Sequence, residues 1–117
     1  MADTLGAFEQ AVLLSIVRLG EHAYGRAIHN EVQERMKREV AAGAAHATLN
    51  RLEKKKLISS RLEPGTPVRG GRPRRYYRLQ PKGLRALNDA WSAVDALWRG
   101  LKRPLKESAY QLLGAQK

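Results

Sequence analysis

A chain of 117 residues is long enough for one domain with a modest core and an appended helix, and too short for separate catalytic and regulatory domains. It has no cysteine, which excludes disulfides and thiolate chemistry, and His22, His29 and His46 match no metal-ligand spacing such as H-x-x-x-H. The 22 Lys and Arg against 11 Asp and Glu leave a net charge of +11, which points to a polyanion or an acidic surface as partner.

That charge is unevenly distributed. Residues 1–50 hold five basic and six acidic side chains, 51–82 hold eleven and two, and 83–117 hold six and three, so nine of the eleven excess charges fall in the middle third. Charge that serves solubility is spread, whereas a nucleic-acid footprint concentrates it. No apolar run approaches the ~20 residues of a membrane span, and Asp3 stands where a secretory signal carries basic residues. The expectation is a cytoplasmic protein with no membrane partner.

In chain order, Leu5, Phe8, Val12, Ser15 or Ile16, and Leu19 fall at helical spacing, and Leu13, Leu14 and Val17 widen the stripe until little of this first helix is polar. Gly20 supplies its stop. A second, amphipathic helix runs from about Tyr24 to Met36, with Tyr24, Ala27 or Ile28, Val32 and Met36 on one face. The segment from about Ala44 to Lys55 reads as a third helix with Ala45, Thr48, Leu49 and Leu52 inward, which gathers His46, Ala47, Asn50, Arg51 and Lys54 on its outer face.

The period then changes from helical to alternating. Ile58, Ser60 and Leu62 alternate, as do Arg75, Tyr77 and Leu79, around a Pro- and Gly-rich stretch; this is a β-hairpin with a long basic tip. Pro81 suits the first position of a final helix that continues through Trp98 to about Arg103. Along it Leu84, Leu87, Trp91, Val94, Trp98 and Leu101 are spaced three, four, three, four and three apart, an apolar seam on which two copies pair. The expected fold is mainly α with a small β-wing: a winged helix-turn-helix over 1–80, a C-terminal dimerisation helix assigned to 81–113, and a loose tail over 114–117.

The outer face of the third helix and the hairpin tip hold the basic excess. An α-helix fits the major groove, where Asn50 is suited to pair bidentately with adenine, Arg51 with guanine or a phosphate, and His46 with a base or a phosphate. Lys54 suits a phosphate contact or a solvated helix end. The tip is poor in bulk, so Arg72 can enter a minor groove while Arg69, Arg74 and Arg75 hold phosphates. No nucleophile-base set, paired carboxylates or phosphate-cradling glycine loop is present, so neither an enzyme nor a cofactor is expected. The leading reading is a repressor on a double-stranded, near-palindromic operator; the alternative is a nucleoid-type architectural protein without an effector.

The segment from Leu13-Leu14 through Ala23-Tyr24-Gly25, then Gly43 to Glu53 with Leu49-x-Arg51-Leu52-Glu53, then Leu57-Ile58, then Gly71-Arg72-x-x-Arg75-Tyr76-Tyr77-Arg78-Leu79 and Gly83, resembles the PadR family of transcriptional regulators. The resemblance covers about Ala11 to Leu101, and Trp91-Ser92-x-Val94-Asp95 on a single C-terminal helix is similar to the family's short, multidrug-sensing members. It implies a ligand-responsive repressor, a homodimer whose paired tryptophans flank an apolar pore for flat aromatic compounds. On that basis Trp91 is a ligand contact, with Phe8 and Val12 roofing the slot and Asp95, at i+4 from Trp91, meeting a positive charge on a small aromatic or cationic effector. Trp98 is assigned mainly to packing. Three positions depart from the family pattern: His46 where Tyr is usual, Gln80 where Thr caps the last helix, and Ala44 where a hydroxyl residue is common.

Overall fold

Glu9 and Gly20 bracket the first helix. Helix α1 spans Ala7–Leu19, and the Glu9 carboxylate accepts the Gly6 N–H at 3.1 Å, satisfying an amide just ahead of it. Gly20 ends the helix at φ 56°, an angle at which a side chain is strained. The computed structural model that defines these elements describes residues 4–108, apart from the side chain of Arg69. Val12, Leu13, Ser15 and Ile16 are buried, whereas Leu14 and Val17 remain exposed, so α1 is covered on a narrower face than its composition suggests.

After a short 3-10 turn at Gly20–His22, helix α2 runs over Gly25–Met36 and buries Ile28 and Val32. It stops at Lys37, in the left-handed region. Two side chains one turn apart on α2 then grip both backbone polar groups of one residue in the connection: Gln33 Oε1 accepts the Val40 N–H at 3.0 Å, and His29 Nε2–H donates to the Val40 carbonyl. This fixes the entry to helix α3, Ala42–Lys54, which starts two residues earlier than its apolar pattern indicates, with the Ala41 carbonyl accepting the Ala45 N–H. Ala45, Thr48, Leu49 and Leu52 are its buried face.

Strands β1, Ile58–Glu63, and β2, Arg74–Leu79, pair antiparallel with Ile58 opposite Leu79 and Glu63 opposite Arg74. Ile58 and Tyr77 reach the core, while Leu62 lies too far out along the hairpin to be covered. The second edge of β2 is tied to the chain ahead of α2, through a Tyr24–Tyr76 bridge and a 2.8 Å bond from the Tyr77 N–H to the Ala23 carbonyl. At the tip Gly65 lies so close to Gly71 that a Cβ there would overlap the Gly71 carbonyl. Leu13, Ile28, Leu49, Leu52 and Ile58 are the largest fully buried side chains, each contributing roughly 1.5–3 kcal/mol of apolar burial.

Helix α4 covers Pro81–Trp98. Its base is clamped: the Gln80 N–H bonds the Leu57 carbonyl at 2.9 Å, the Gln80 side chain bonds Ser59 Oγ at 2.7 Å, and a Cβ on Gly83 would overlap that Leu57 oxygen. Gln80 thus works as a tether, with no side-chain cap on α4. The helix ends at Trp98, short of Arg103, because Arg99 leaves the helical region and Gly100 takes φ 87°. Arg103 folds back onto Asp95 instead, at 2.7 Å. The assignment of 81–113 as one helix is corrected accordingly, and its part beyond residue 108, together with the tail 114–117, lies outside the described residues. No described helix is long and apolar enough to cross a membrane.

Leu87 also leaves the expected seam. With Gly83 and Ala90 it is buried against the domain, whereas Leu84, Trp91, Val94, Leu97 and Leu101 are exposed. Beyond Ala90 no described residue of α4 is buried, so the helix projects and the molecule measures 63 × 31 × 21 Å.

Candidate nucleic-acid interface

The exposed side of α3 carries His46, Asn50 and Lys54 one turn apart, with Ala47 beside them. Ahead of them, Ala42, Gly43 and Ala44 are exposed and small, and no side chain caps the helix; the Ala44 N–H bonds the Ala41 carbonyl at 3.0 Å, which leaves the amides of Ala42 and Gly43 for an acceptor on a close-fitting surface. Asn50 offers a donor and an acceptor in one plane, the pattern that matches the major-groove edge of adenine.

Arg51 sits at the margin of this face and turns toward α1. Its guanidinium donates to Thr48 Oγ1 at 3.2 Å and lies 3.6 Å from Glu9, which Lys55 also approaches at 3.7 Å. The expected grouping of Arg51 with Asn50 is therefore loosened by an acid from another helix. The side chain is half exposed, and an ion pair of that kind is worth about 1 kcal/mol or less, little enough for a phosphate to displace.

The wing stands beside α3. A cleft of about 400 Å³ lies between the wing and the start of α2, lined by Tyr24, Gly25 and Arg26, by His46 of α3 and by the wing residues Arg72 to Arg75, with no acidic side chain in its lining. Arg72 is exposed, Arg74 stacks over the Tyr24 ring with its guanidinium carbon 3.8 Å from the centroid, and Arg75 donates to Ser60 Oγ at 3.1 Å. Ser60 in turn donates to Glu53 at 2.7 Å, which orients Arg75 without neutralising it directly. Arg69 belongs to the short helical turn Pro67–Arg69 at the tip, and its side chain lies outside the described set. Tyr77, on the cleft's inner wall, has its pKa raised by burial, an effect that Arg75 opposes and Glu53 reinforces.

Two residues of this cleft, Tyr24 and Arg26, were not singled out for DNA contact by sequence reasoning. Each lies some fifty residues from the wing in sequence, and only the β2 bridge to Tyr24 brings them together. A Gly-preceding Tyr at a helix start and an isolated Arg on a solvated face carry no local signal of that meeting.

The expected effector residues are dispersed. Trp91 is 67% exposed, Phe8 is half-buried against the core, and Val12 is completely buried, so Val12 cannot line an open slot. Asp95 is held by Arg103 at 2.7 Å and Arg99 at 3.8 Å, so its charge is already met from within the chain. Trp98 is half-buried, with the Arg103 guanidinium 6.0 Å from its ring. Among the described residues no three His, Asp or Glu side chains gather as a metal site.

The family model for the Transcriptional regulator PadR-like family matches residues 13–89. Among solved structures, the chain is similar to a PadR family transcriptional regulator from Eggerthella lenta, at 27% identity over 90% of this chain and 82% of that one, with a TM-score of 0.61. A PadR-like transcriptional regulator from Bacillus cereus shows 26% identity over 81% of this chain and 94% of its own, with a TM-score of 0.60. The PcaV transcriptional regulator from Streptomyces coelicolor shares the fold at 17% identity over 97% of this chain and 72% of that one, with a TM-score of 0.64. No curated protein matches. The winged helix-turn-helix, the basic face on α3 and the family match lead to one statement: the chain belongs to the PadR-like family of transcriptional regulators, which are DNA-binding proteins and not enzymes.

Proposed function

We propose that this protein is a cytoplasmic, homodimeric repressor that occupies a near-palindromic operator and is released by a small aromatic effector. The observation that carries the reading is the acid-free cleft adjoining the exposed His46, Asn50 and Lys54 face, which presents a helix and a wing to a duplex together. Dimerisation is supported by the projecting part of α4. Leu84, Trp91, Val94 and Leu97 are exposed apolar side chains along α4, with Leu101 just beyond its end, and a second copy covers them by symmetry. Leu87 drops out of that interface; Trp98, seven residues on from Trp91, stays on its face, and Leu97 lies at its margin.

The effector reading rests on Trp91, whose exposed indole meets its symmetry mate near the dimer axis. Because Asp95 is held by Arg103 and Arg99 in exposed ion pairs, a flat apolar ring is the effector's first requirement, and a positive charge on it reaches Asp95 by displacing those pairs. Footprinting combined with sedimentation tests the assembly: a dyad-symmetric footprint with half-sites about one helical turn or a small multiple apart, and a dimer that Val94→Glu with Leu101→Glu converts to monomer. Asn50→Ala is expected to cost roughly 1–3 kcal/mol on the mapped operator and to relax base preference. Equal affinity for operator and random duplex would favour an architectural protein instead. A flat aromatic dye should quench tryptophan emission in wild type and in Trp98→Ala but not in Trp91→Ala, and should weaken operator binding; unchanged quenching in Trp91→Ala removes the pocket.

A further inference from the structure

We propose that the cleft between the start of α2 and the wing seats one phosphodiester of the DNA backbone, and that Tyr24 is the platform that holds Arg74 in position to bind it. The inference rests on DNA binding by the family and deepens it, by assigning a ligand group and a positioning residue to a part of the surface outside the recognition face.

The cleft is lined by Tyr24, Gly25 and Arg26 from the start of α2, by Arg72 to Arg75 and Tyr77 from the wing, and by His46 of α3. Four guanidinium groups line the hollow; among the described residues Arg26, Arg72 and Arg74 have no carboxylate partner, and Arg75 bonds the Ser60 hydroxyl. Guanidinium groups that line one cleft repel one another, and an anion between them converts that repulsion into attraction. The first residues of α2 line the same hollow, so the positive end of that helix adds to the field.

Arg74 distinguishes a built seat from an accidental cluster. Its guanidinium carbon is 3.8 Å from the Tyr24 ring centroid, so the planar group lies against the aromatic face. Stacking uses the π surface and leaves the in-plane N–H groups free, which is the arrangement that binds a phosphate with two parallel hydrogen bonds. Tyr24 is itself immobilised. Its ring meets Tyr76 at 5.6 Å and 60°, Arg61 covers Tyr76 at 5.1 Å, and the backbone bridge Tyr24–Tyr76 ties the same two residues. The result is an Arg–Tyr–Tyr–Arg series in which a residue at the start of α2 sets the angle of a wing side chain. The wing and the helix-turn-helix then approach the backbone at one fixed spacing.

The test measures anisotropy of a labelled duplex over a sodium chloride series, with wild type, Tyr24→Phe, Tyr24→Leu, Arg74→Ala, Arg74→Lys and the Tyr24→Leu/Arg74→Ala pair. Tyr24→Phe keeps the ring and should match wild type. Tyr24→Leu and Arg74→Ala should each bind about fivefold more weakly, on operator and random duplex alike, with the salt slope reduced by about one phosphate contact. The pair should bind no more weakly than Arg74→Ala alone, since Tyr24 acts through Arg74. Arg74→Lys, which retains charge and loses the plane, should weaken binding about threefold with little change in slope, and it tests the seat even if Tyr24→Leu fails to fold. Wild-type affinity in Arg74→Lys, or additive losses in the pair, would overturn the proposal. Orthophosphate at matched ionic strength should compete no better than chloride; selective competition would reassign the seat to a free phosphate ion. A wild-type protein that binds no duplex would overturn the DNA-binding reading itself, whereas binding insensitive to Tyr24 and Arg74 would remove only the seat.

Discussion

The winged unit and helix α4 are both amphipathic, yet they end in opposite states. In the winged unit the large apolar side chains converge: Leu13, Ile28, Leu49, Leu52 and Ile58 are fully buried, and the basic residues lie outside. In α4 only Gly83, Leu87 and Ala90 find cover, and Leu97, at 80% exposed, stands farther out than most charged residues would need to. The same 3.6-residue periodicity therefore serves two purposes. One stripe is closed by elements of its own chain; the other is closed at its base and open along its length, which is the form of a surface awaiting a second body.

Paired substitutions put this contrast under strain. The largest effect is expected from Leu49→Ala, which opens a cavity in the winged core and should cost about 2–5 kcal/mol in denaturant unfolding whatever the protein concentration. Leu97→Ala should instead produce a loss that varies with concentration, because it acts through assembly. A concentration-independent loss at Leu97 would erase the distinction between the two regions. Next comes the joint between them. Gly83→Ala places a methyl group on the Leu57 carbonyl and should destabilise by about 1–3 kcal/mol while changing the tilt of α4, read as a lowered melting temperature and altered operator spacing.

The smallest effect belongs wholly to the winged unit. Burial raises the pKa of Tyr77 above its ordinary value near 10, so the folded state holds that proton longer than the unfolded chain. The associated stability is present below about pH 10 and is lost as pH rises through the folded value. Tyr77→Phe should be within about 1 kcal/mol of wild type at neutral pH and should lose less stability in alkaline melts. An identical alkaline profile would show that Tyr77 ionises without penalty.

What the sequence disclosed follows from how local each signal is. The stop at Gly20, the alternation of Arg75, Tyr77 and Leu79, and the outward grouping of His46, Asn50 and Lys54 depend on residues within one turn or one strand, and the element order is as expected. The start of α3 at Ala42 was missed because Ala41 to Ala44 have neither a polar cap nor an apolar rhythm. Leu87 was grouped with Trp91 and Val94 because spacing along a helix does not reveal which side its own domain already covers. Arg51 with Glu9 and Asp95 with Arg103 are ion pairs between residues far apart or across a chain reversal, and Tyr24 meets Arg74 only through the β2 bridge. Each of these is a tertiary pairing with no trace in periodicity.

The shape of α4 has a mechanical consequence. An 18-residue helix is about 27 Å long, and it is pinned at Gly83 near one end. A tilt of about 10° about that pivot carries the far end, where Trp98 lies, through roughly 4 Å, because rise per residue fixes the length of the arm. Run in reverse within the proposed dimer, a small displacement at the outer seam is geared into rotation of each head. Operator half-sites repeat at about 34–36 Å, so a few ångströms of such travel is enough to take one head out of phase with the groove while the other stays seated.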